Sequence, residues 1–215
     1  MTEWILHADA TAMADRLADE VAQALEAAVE ARGEALAAVP GGRTPGPALD
    51  RLAQRPLPWP RITLFPTDER QVATDHPLSN LGALQGHFAG TAVRLVPLAD
   101  AATLSWPPDL VWLGMGGDGH VASLFPGPDL EKGLAGPERV VAVHPQPLPA
   151  EAPVDRLTLS GPALVAAPLM LVAIRGAEKR RLLEVALEEG GESRYPVGRL
   201  LAHATHPVLI HWCPE

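Results

Sequence analysis

The chain has little of what marks a secreted or membrane protein. Its 215 residues include a single cysteine, Cys213, so an intramolecular disulfide is excluded and a reducing compartment is favoured. The longest apolar run, residues 163–174, is interrupted by Pro168 and is shorter than the roughly 18 residues that a membrane-spanning helix needs. The N-terminal residues lack a basic region followed by an apolar core, so we expect no signal peptide and a cytoplasmic protein.

Positive charge is also scarce. Lysine and arginine together number 17 against 26 acidic residues, which gives a formal net charge of −9. An acidic protein repels the phosphates of nucleic acids and of anionic membranes, so we expect neither as a partner. An anionic small-molecule substrate would therefore need a local basic pocket. We expect a monomer, because no long apolar face is left over once the core is assigned.

Apolar runs and helical periodicities alternate along the whole chain, and this predicts one domain over residues 1–215. The expected fold is a single three-layer α/β/α domain of the Rossmann-like type with a mostly parallel sheet. The predicted strands are 4–6, 34–39, 61–65, 94–98, 109–113, 139–143, 154–160, 169–174 and 208–212. Helices are predicted at 11–32, from about 45 to 53, from 79, at 161–167 and from 176.

A glycine-rich loop follows the predicted buried strand 109–113. Four glycines within residues 114–119 surround Asp118, and His120 comes directly after them. Ligands bind at the carboxyl ends of the strands in open α/β sheets, and histidine changes charge near neutral pH. A lone histidine is more often structural than catalytic, but its place in this loop favours a catalytic role for His120 and Asp118.

The same glycines match the literal dinucleotide-binding pattern G-x-G-x-x-G at Gly114, Gly116 and Gly119. That pattern needs a helix directly after the glycines and an acid at the end of the next strand. Here the loop runs into Phe-Pro-Gly-Pro, and Glu138 precedes the next apolar run instead of ending it. We therefore do not expect a nicotinamide cofactor.

Residues 34–53 form a strand, a glycine turn and a helix, which is the layout of a phosphate site. Backbone N–H groups at a helix start and the helix dipole both favour an anion. The turn contains Gly41, Gly42, Arg43 and Thr44, and it lacks the Gly-Lys-Ser/Thr ending of a Walker motif. An ordinary strand-to-helix turn explains the pattern equally well.

Charged side chains follow two further strands and open a late helix. Residues 67–70, Thr-Asp-Glu-Arg, are either a solvated loop or a segment that aims a carboxylate and a guanidinium into one cleft. Lys179 lies in the first turn of the helix from 176, where a cation opposes the helix dipole unless an anion is bound. A solvated lysine is the common alternative.

In the last strand, His211 is predicted to be a packing residue.

Three segments taken together, 41–45, 67–70 and 114–127, resemble the 6-phosphogluconolactonase family in order, spacing and residues. The superfamily also contains glucosamine-6-phosphate isomerase/deaminase. The resemblance covers nearly the whole chain and extends to 79–80, 155–159 and 176–179. It implies hydrolysis of 6-phospho-D-glucono-1,5-lactone to 6-phosphogluconate in the oxidative pentose phosphate pathway, with no metal or organic cofactor.

The resemblance also implies the roles of individual residues. His120 would be the general base that activates water, with Asp118 orienting it and Asp68 in the same catalytic group. Arg70 and the main-chain N–H groups of the loop, including those of Gly116 and Gly117, are candidates for stabilising the oxyanion.

The substrate phosphate would lie on the turn at 41–45, with further contacts from other elements. The predicted substrate-binding residues are Gly41, Gly42, Arg43, Thr44, Asn80, Arg156 and Lys179. Arg156 and Lys179 would be counter-charges to the phosphate. Which arginine contacts the phosphate and which contacts the carbonyl is left open.

Two other functions remain as alternatives. The isomerase/deaminase has loops resembling Asp-Glu-Tyr and Asp-Gly-His-x-Ala-Phe-Asn-Glu-Pro, whereas this chain has Arg70 at the tyrosine position and no glutamate in 123–126. A non-catalytic sugar-phosphate sensor would accompany a DNA-binding helix-turn-helix, which we do not expect in this acidic chain. The resemblance therefore favours the lactonase.

Overall fold

A computed structural model describes residues 2–42 and 44–214, and a parallel sheet of seven strands runs through its centre. Each pair of neighbouring strands in this sheet is parallel. Across the sheet, the strands are β1 (Thr2–Leu6), β10 (Val208–Cys213), β9 (Met170–Arg175), β6 (Leu110–Gly114), β2 (Ala35–Val39), β3 (Ile62–Pro66) and β5 (Arg94–Leu95). The predicted Rossmann-like fold with a mostly parallel sheet is confirmed.

Helices cover both faces of this sheet. One face carries α1 (Ala10–Arg32), α2 (Gly46–Ala53) and α3 (Asn80–His87). The other face carries α4 (Leu130–Ala135), α5 (Gly161–Val165), α6 (Ala177–Glu189) and α7 (Pro196–Leu201). The two apolar clusters, one on each side of the sheet, make this the predicted three-layer α/β/α domain.

The inner strands are buried because they are apolar on both faces. Every residue of β2 is buried, and β6 is buried from Leu110 to Leu113. Successive side chains alternate between the two clusters, so that Ala37 packs on the α1 side and Ala38 on the α6 side. A strand covered by helices on both faces needs such a continuous apolar run.

Three more strands form a separate antiparallel sheet. They are β4 (Asp68–Arg70), β8 (Arg156–Leu159) and β7 (Val140–Val143). Thr67 joins the two sheets, because its N–H donates to the Val39 carbonyl (3.0 Å) and its own carbonyl accepts from the Leu159 N–H (2.9 Å). The charged segment after β3 is therefore a paired strand and not a solvated loop.

The helix ends follow side-chain capping signals. Asp9 accepts a hydrogen bond from the Ala12 N–H (2.8 Å), and Ser79 accepts one from the Gly82 N–H (3.0 Å), as an N-cap residue does. The six-residue helices α4 and α7 were not predicted, because so short a segment shows no periodicity. Within residues 2–42 and 44–214, no helix is long and apolar enough to cross a membrane.

The sequence predicted that His211 is a packing residue. In the structure it also pairs with a buried carboxylate. Its side chain is fully buried, and its Nε2 lies 2.8 Å from Oε2 of Glu20, which is itself buried on α1. Its Nδ1 lies 3.1 Å from Nε2 of His7. Because a buried carboxylate without a partner is costly, this pair ties α1 to β10.

The pair also makes stability depend on pH. Burial by itself would raise the pKa of the Glu20 carboxyl, but contact with His211 and Arg16 lowers it below its ordinary value of 4.5. Burial and the charge of His211 lower the pKa of His7 below 6.5. Both groups bind protons more weakly in the folded state, so stability falls as pH drops below these ordinary values.

We expect Glu20→Gln to lower the free energy of unfolding at pH 7 by about 2–4 kcal/mol, because it leaves His211 buried without its carboxylate. The further loss of stability below pH 4.5 should be shallower than in the wild type. Urea unfolding between pH 7 and pH 4 measures both effects. Glu26→Gln, at an exposed site on the same helix, is the control and should change stability by less than about 0.5 kcal/mol. Equal effects from the two variants would contradict this account.

Candidate active site

A cleft of about 920 Å³ opens at the carboxyl ends of β2, β3, β6 and β9. This is where parallel α/β sheets bind ligands, since the loops after the central strands converge there. Most of the residues predicted from the sequence line it. They are Gly41, Gly42, Thr44, Asp68, Arg70, Asn80, Gly116, Gly117, Asp118, His120 and Lys179.

Of the predicted residues that the structure describes, Arg156 alone does not line the cleft. Arg43 lies outside the described residues. Arg156 is only 3% exposed and donates from Nη2 to the Ala152 carbonyl (2.7 Å). Burial and the neighbouring charge of Arg70 lower the pKa of Arg156. Its predicted role as a counter-charge to phosphate stays a prediction, and its burial away from the cleft lining does not support it.

His120 and Asp118 form a hydrogen-bonded pair inside the cleft. Nδ1 of His120 lies 2.5 Å from Oδ1 of Asp118, and the His120 N–H donates to the same oxygen (3.2 Å). The Phe125 ring lies 4.3 Å from the imidazole, centroid to centroid. Because Asp118 binds Nδ1, Nε2 is the ring nitrogen left to face a ligand.

The electrostatics of the pair favour an ionised Asp118. Burial alone would raise the pKa of its carboxyl, but the hydrogen bonds and charge of His120 lower it below the ordinary value. A carboxylate that accepts from Nδ1 fixes the imidazole tautomer with Nε2 unprotonated. The arrangement can therefore accept a proton from water at Nε2.

The backbone of Gly116 makes room for this pair. A Cβ at Gly116 would lie 2.1 Å from Cε1 of His120 and 2.7 Å from Oδ1 of Asp118, so only glycine fits there. The Gly116 N–H donates to the His120 carbonyl (2.9 Å). This N–H is thus already used within the loop, and Gly117 becomes the better candidate for an oxyanion contact.

A second polar group lies across the cleft and centres on Asn80. Its Nδ2 donates to the Asp68 carbonyl (2.7 Å), and its Oδ1 accepts from Nη1 of Arg70. Asp68 also accepts from the Ser123 hydroxyl (2.6 Å), which joins it to the segment after His120. A Cβ at Gly41 would lie 1.9 Å from Oδ1 of Asn80, so this group packs directly against the glycine turn.

Glu69 lies between two predicted site residues but has a structural role. Its carboxylate accepts from the N–H groups of Asn80 (2.7 Å) and Leu81 (2.8 Å), and from the Ser79 hydroxyl (3.2 Å). These groups form the start of α3, where a negative charge is favourable. Glu69 therefore holds α3 in place while its neighbours Asp68 and Arg70 line the cleft.

Lys179 brings a positive charge to the cleft from the first turn of α6. Its Nζ donates to the Met115 carbonyl (2.6 Å). Burial lowers the pKa of Lys179, although the charges of Asp118 and Glu151 act in the opposite direction. A partly buried ammonium in a cleft that also contains the turn with Gly41 and Gly42 can hold an anion.

One side of the cleft was not predicted from the sequence. Residues 146–151, Gln-Pro-Leu-Pro-Ala-Glu, line it continuously, and we call this segment the proline wall. The sequence showed only a proline-rich stretch, with no motif that pointed to a ligand. The alternation of proline with other residues was the one available signal, because it favours an extended and stiff segment.

Comparison with known proteins places the fold and the cleft in one family. The family model "Glucosamine-6-phosphate isomerases/6-phosphogluconolactonase" matches residues 8–210. The chain therefore belongs to this family, as the motifs in its glycine-rich segments indicated.

Within the family, the chain is similar to lactonases. It is 37% identical over 227 residues to a 6-phosphogluconolactonase of Pseudomonas putida, covering 96% of this chain and 91% of the relative. A 6-phosphogluconolactonase structure from Shewanella baltica superimposes with a TM-score of 0.91 at 28% identity, covering 99% and 98% of the two chains. A monomeric glucosamine-6-phosphate deaminase shares the fold, with a TM-score of 0.76, 19% identity and 97% coverage of each chain.

We expect Gly116→Ala to break the contact between His120 and Asp118, because the added methyl group occupies the space of the imidazole. The free energy of unfolding should fall by about 1–3 kcal/mol. The imidazole ¹⁵N shifts of His120 in the ligand-free protein report the contact directly.

Gly117→Ala is the matched control for this experiment. A Cβ at Gly117 meets no described atom within 4 Å, so the ¹⁵N shifts should stay as in the wild type. A Gly116→Ala protein whose His120 shifts match those of the wild type would show that the loop adapts and that glycine is not required there.

Proposed function

We propose that the chain hydrolyses 6-phospho-D-glucono-1,5-lactone to 6-phosphogluconate. The observation that carries the proposal is that one cleft contains both a His120–Asp118 pair and an anion-binding end. The turn with Gly41, Gly42 and Thr44 forms that end, and the ammonium of Lys179, which donates to the Met115 carbonyl, provides a cation within the same cleft. A lactone with a phosphate at its other end matches the two halves of this cleft.

His120 acts as the general base in this reaction. Its Nε2 accepts a proton from a water molecule as the water oxygen forms a bond to the lactone carbon C1. The C1–O5 bond then breaks, and the proton passes from His120 to the departing O5, so that the ring opens to the acid. Asp118 keeps the proton on Nδ1 and stabilises the imidazolium that forms between the two steps.

The oxyanion at C1 is stabilised by donors around the loop. The candidates are the N–H of Gly117 and the guanidinium of Arg70, which Asn80 and the Leu78 carbonyl (3.1 Å) hold in place. Asp68 is held between Ser123 and Asn80, and it balances the charge of Arg70 beside the reacting carbon.

The phosphate contacts the turn at the start of α2. Backbone N–H groups of Gly41, Gly42 and Thr44 contact it, with Lys179 as a cation, and Arg43 stays a further candidate from the sequence alone. We extend the proposal to a monomer that acts in the cytoplasm on a free small molecule, without nucleic acid or membrane as a partner. The net charge of −9 supports the last part.

The isomerase/deaminase alternative is less well supported by this site. That chemistry moves a proton between two carbons and uses an additional carboxylate in the segment after the histidine. In this chain the segment is Ser-Leu-Phe-Pro, and Ser123 is engaged with Asp68. Phe125 packs on the His120 ring, so an apolar group occupies the side where an acid would be expected.

We expect His120→Asn to lower the lactonase kcat by about 10²–10⁴-fold, because it removes the proton acceptor Nε2 and leaves a smaller, polar side chain that does not titrate. Proton release at neutral pH with freshly generated lactone measures the rate above the spontaneous blank. Glucosamine-6-phosphate is tested in parallel for release of ammonia.

His144→Asn is a matched control, since His144 also pairs with an aspartate, Asp155 (2.8 Å), but does not line the cleft. Its activity should equal that of the wild type. Full activity in His120→Asn would refute the proposed base, and ammonia from the amino sugar would point to the isomerase/deaminase.

We expect Lys179→Met to raise KM by about 10–100-fold with a small change in kcat, because the lost charge binds the phosphate and not the reacting carbon. Lys132→Met is the control: Lys132 also donates to a carbonyl, that of Ala142 (2.8 Å), but lies outside the cleft lining. Equal KM values for the two variants would remove Lys179 from the phosphate site.

The lowered pKa of Lys179 adds a dependence on pH. As pH rises, the ammonium loses its proton below the ordinary value of 10.5, and binding of the product through its phosphate dianion should weaken. Calorimetric titration with 6-phosphogluconate at increasing pH measures this loss of affinity. Lys179→Arg, which stays charged at alkaline pH, should remove it. Binding that is flat with pH in the wild type would contradict the assignment.

A further inference from the structure

The proline wall gives the polar cleft one apolar side. Its centre is Leu148, which lies between Pro147 and Pro149 and is 46% exposed. Among the residues that the structure describes, the other large apolar side chains with comparable exposure are Leu6 (58%) and Val185 (39%). Neither of these lines the cleft. Leu148 is thus an exposed leucine placed where a ligand can cover it.

The wall meets the functional residues of the cleft at two places. At its start, the Gln146 carbonyl lies close to Gly127, the last residue of the segment that carries His120 and Phe125. At its far end, the charge of Glu151 reaches Lys179 and raises the pKa of that ammonium against the effect of burial. Leu148 lies between these two contacts in sequence and lines the same cleft as His120 and Lys179, so a ligand bound to both side chains can reach it.

The wall is held rigidly. Its prolines fix φ, and the Ala152 N–H donates to the Pro149 carbonyl (3.1 Å). The buried guanidinium of Arg156 donates to the Ala152 carbonyl (2.7 Å) and so anchors the end of the wall to β8. A preformed apolar surface loses little conformational entropy on binding, so contacts with it add to affinity.

We propose that Leu148, supported by Pro147 and Pro149, packs on the carbon skeleton of the bound phosphosugar acid and makes the site select a ligand with a six-carbon chain over phosphate alone. The inference rests on the proposed function for the class of ligand. Arg156 does not line the cleft. It acts as a positioning residue, because its hydrogen bond to the Ala152 carbonyl holds the end of the proline wall.

The experiment compares two probes, 6-phosphogluconate and inorganic phosphate, by calorimetric titration. Leu148→Ala should weaken binding of 6-phosphogluconate about five- to twentyfold, because apolar contact with the carbon skeleton is lost. Its affinity for inorganic phosphate should stay unchanged, because phosphate alone has no carbon skeleton to contact the Leu148 side chain. Leu148→Met, which keeps the apolar volume, should restore binding to within about twofold of the wild type.

Leu6→Ala is the matched control, since it truncates an exposed leucine on β1 away from the cleft, and both affinities should stay unchanged. The inference is overturned if Leu148→Ala binds 6-phosphogluconate as tightly as the wild type, if it loses affinity for both probes equally, or if the wild type does not bind 6-phosphogluconate. If the wild type shows the expected pattern but does not accelerate lactone hydrolysis, the wall is supported and the proposed reaction fails.

Discussion

The ring of His120 lies across the main chain of Gly116, and one additional methyl group there would collide with it. This close approach brings the imidazole to Asp118 and leaves Nε2 for the cleft. The loop is fixed from both sides. The loop follows β6 at the centre of the sheet. On its other side, the Gly119 carbonyl accepts a hydrogen bond from the Val197 N–H (3.0 Å) at the start of α7. The position of a single nitrogen therefore depends on the central strand, on glycine and on a helix far along the chain.

The rest of the site depends on loops from different strands meeting at one edge of the sheet. Gly41, like Gly116, leaves space for a neighbouring side chain because it has none of its own. Asn80 occupies this space and connects the turn after β2 with Asp68 and Arg70. The cations of the cleft lie beside carboxylates, Arg70 near Asp68 and Lys179 near Asp118. A protein with a net charge of −9 can thus bind an anion by local donors without a basic surface.

Much of the fold could be predicted, because the signals for β2, β6 and α1 are local. Continuous apolar runs require burial on both faces, and the periodicity of α1 defines its buried side. The loop with Asp118 and His120 was also predictable, since glycines after a buried strand are a local pattern. β4 could not be predicted, because its three charged residues form a strand only by pairing with β8, which is distant in sequence. His211 was misjudged for the same reason, as its partner Glu20 lies on α1. The burial of Arg156 and the position of the proline wall depend equally on tertiary packing.

In the proposed reaction the cleft has a direction, with the reacting carbon at His120 and the phosphate at the turn with Gly41 and Gly42. The most direct measurement is a crystal structure of the complex with 6-phosphogluconate. We expect the C1 carboxylate beside Nε2 of His120 and the N–H of Gly117, and the phosphate at Gly41, Gly42, Thr44 and Lys179. A phosphate bound at His120, with the carboxylate at the turn, would contradict it.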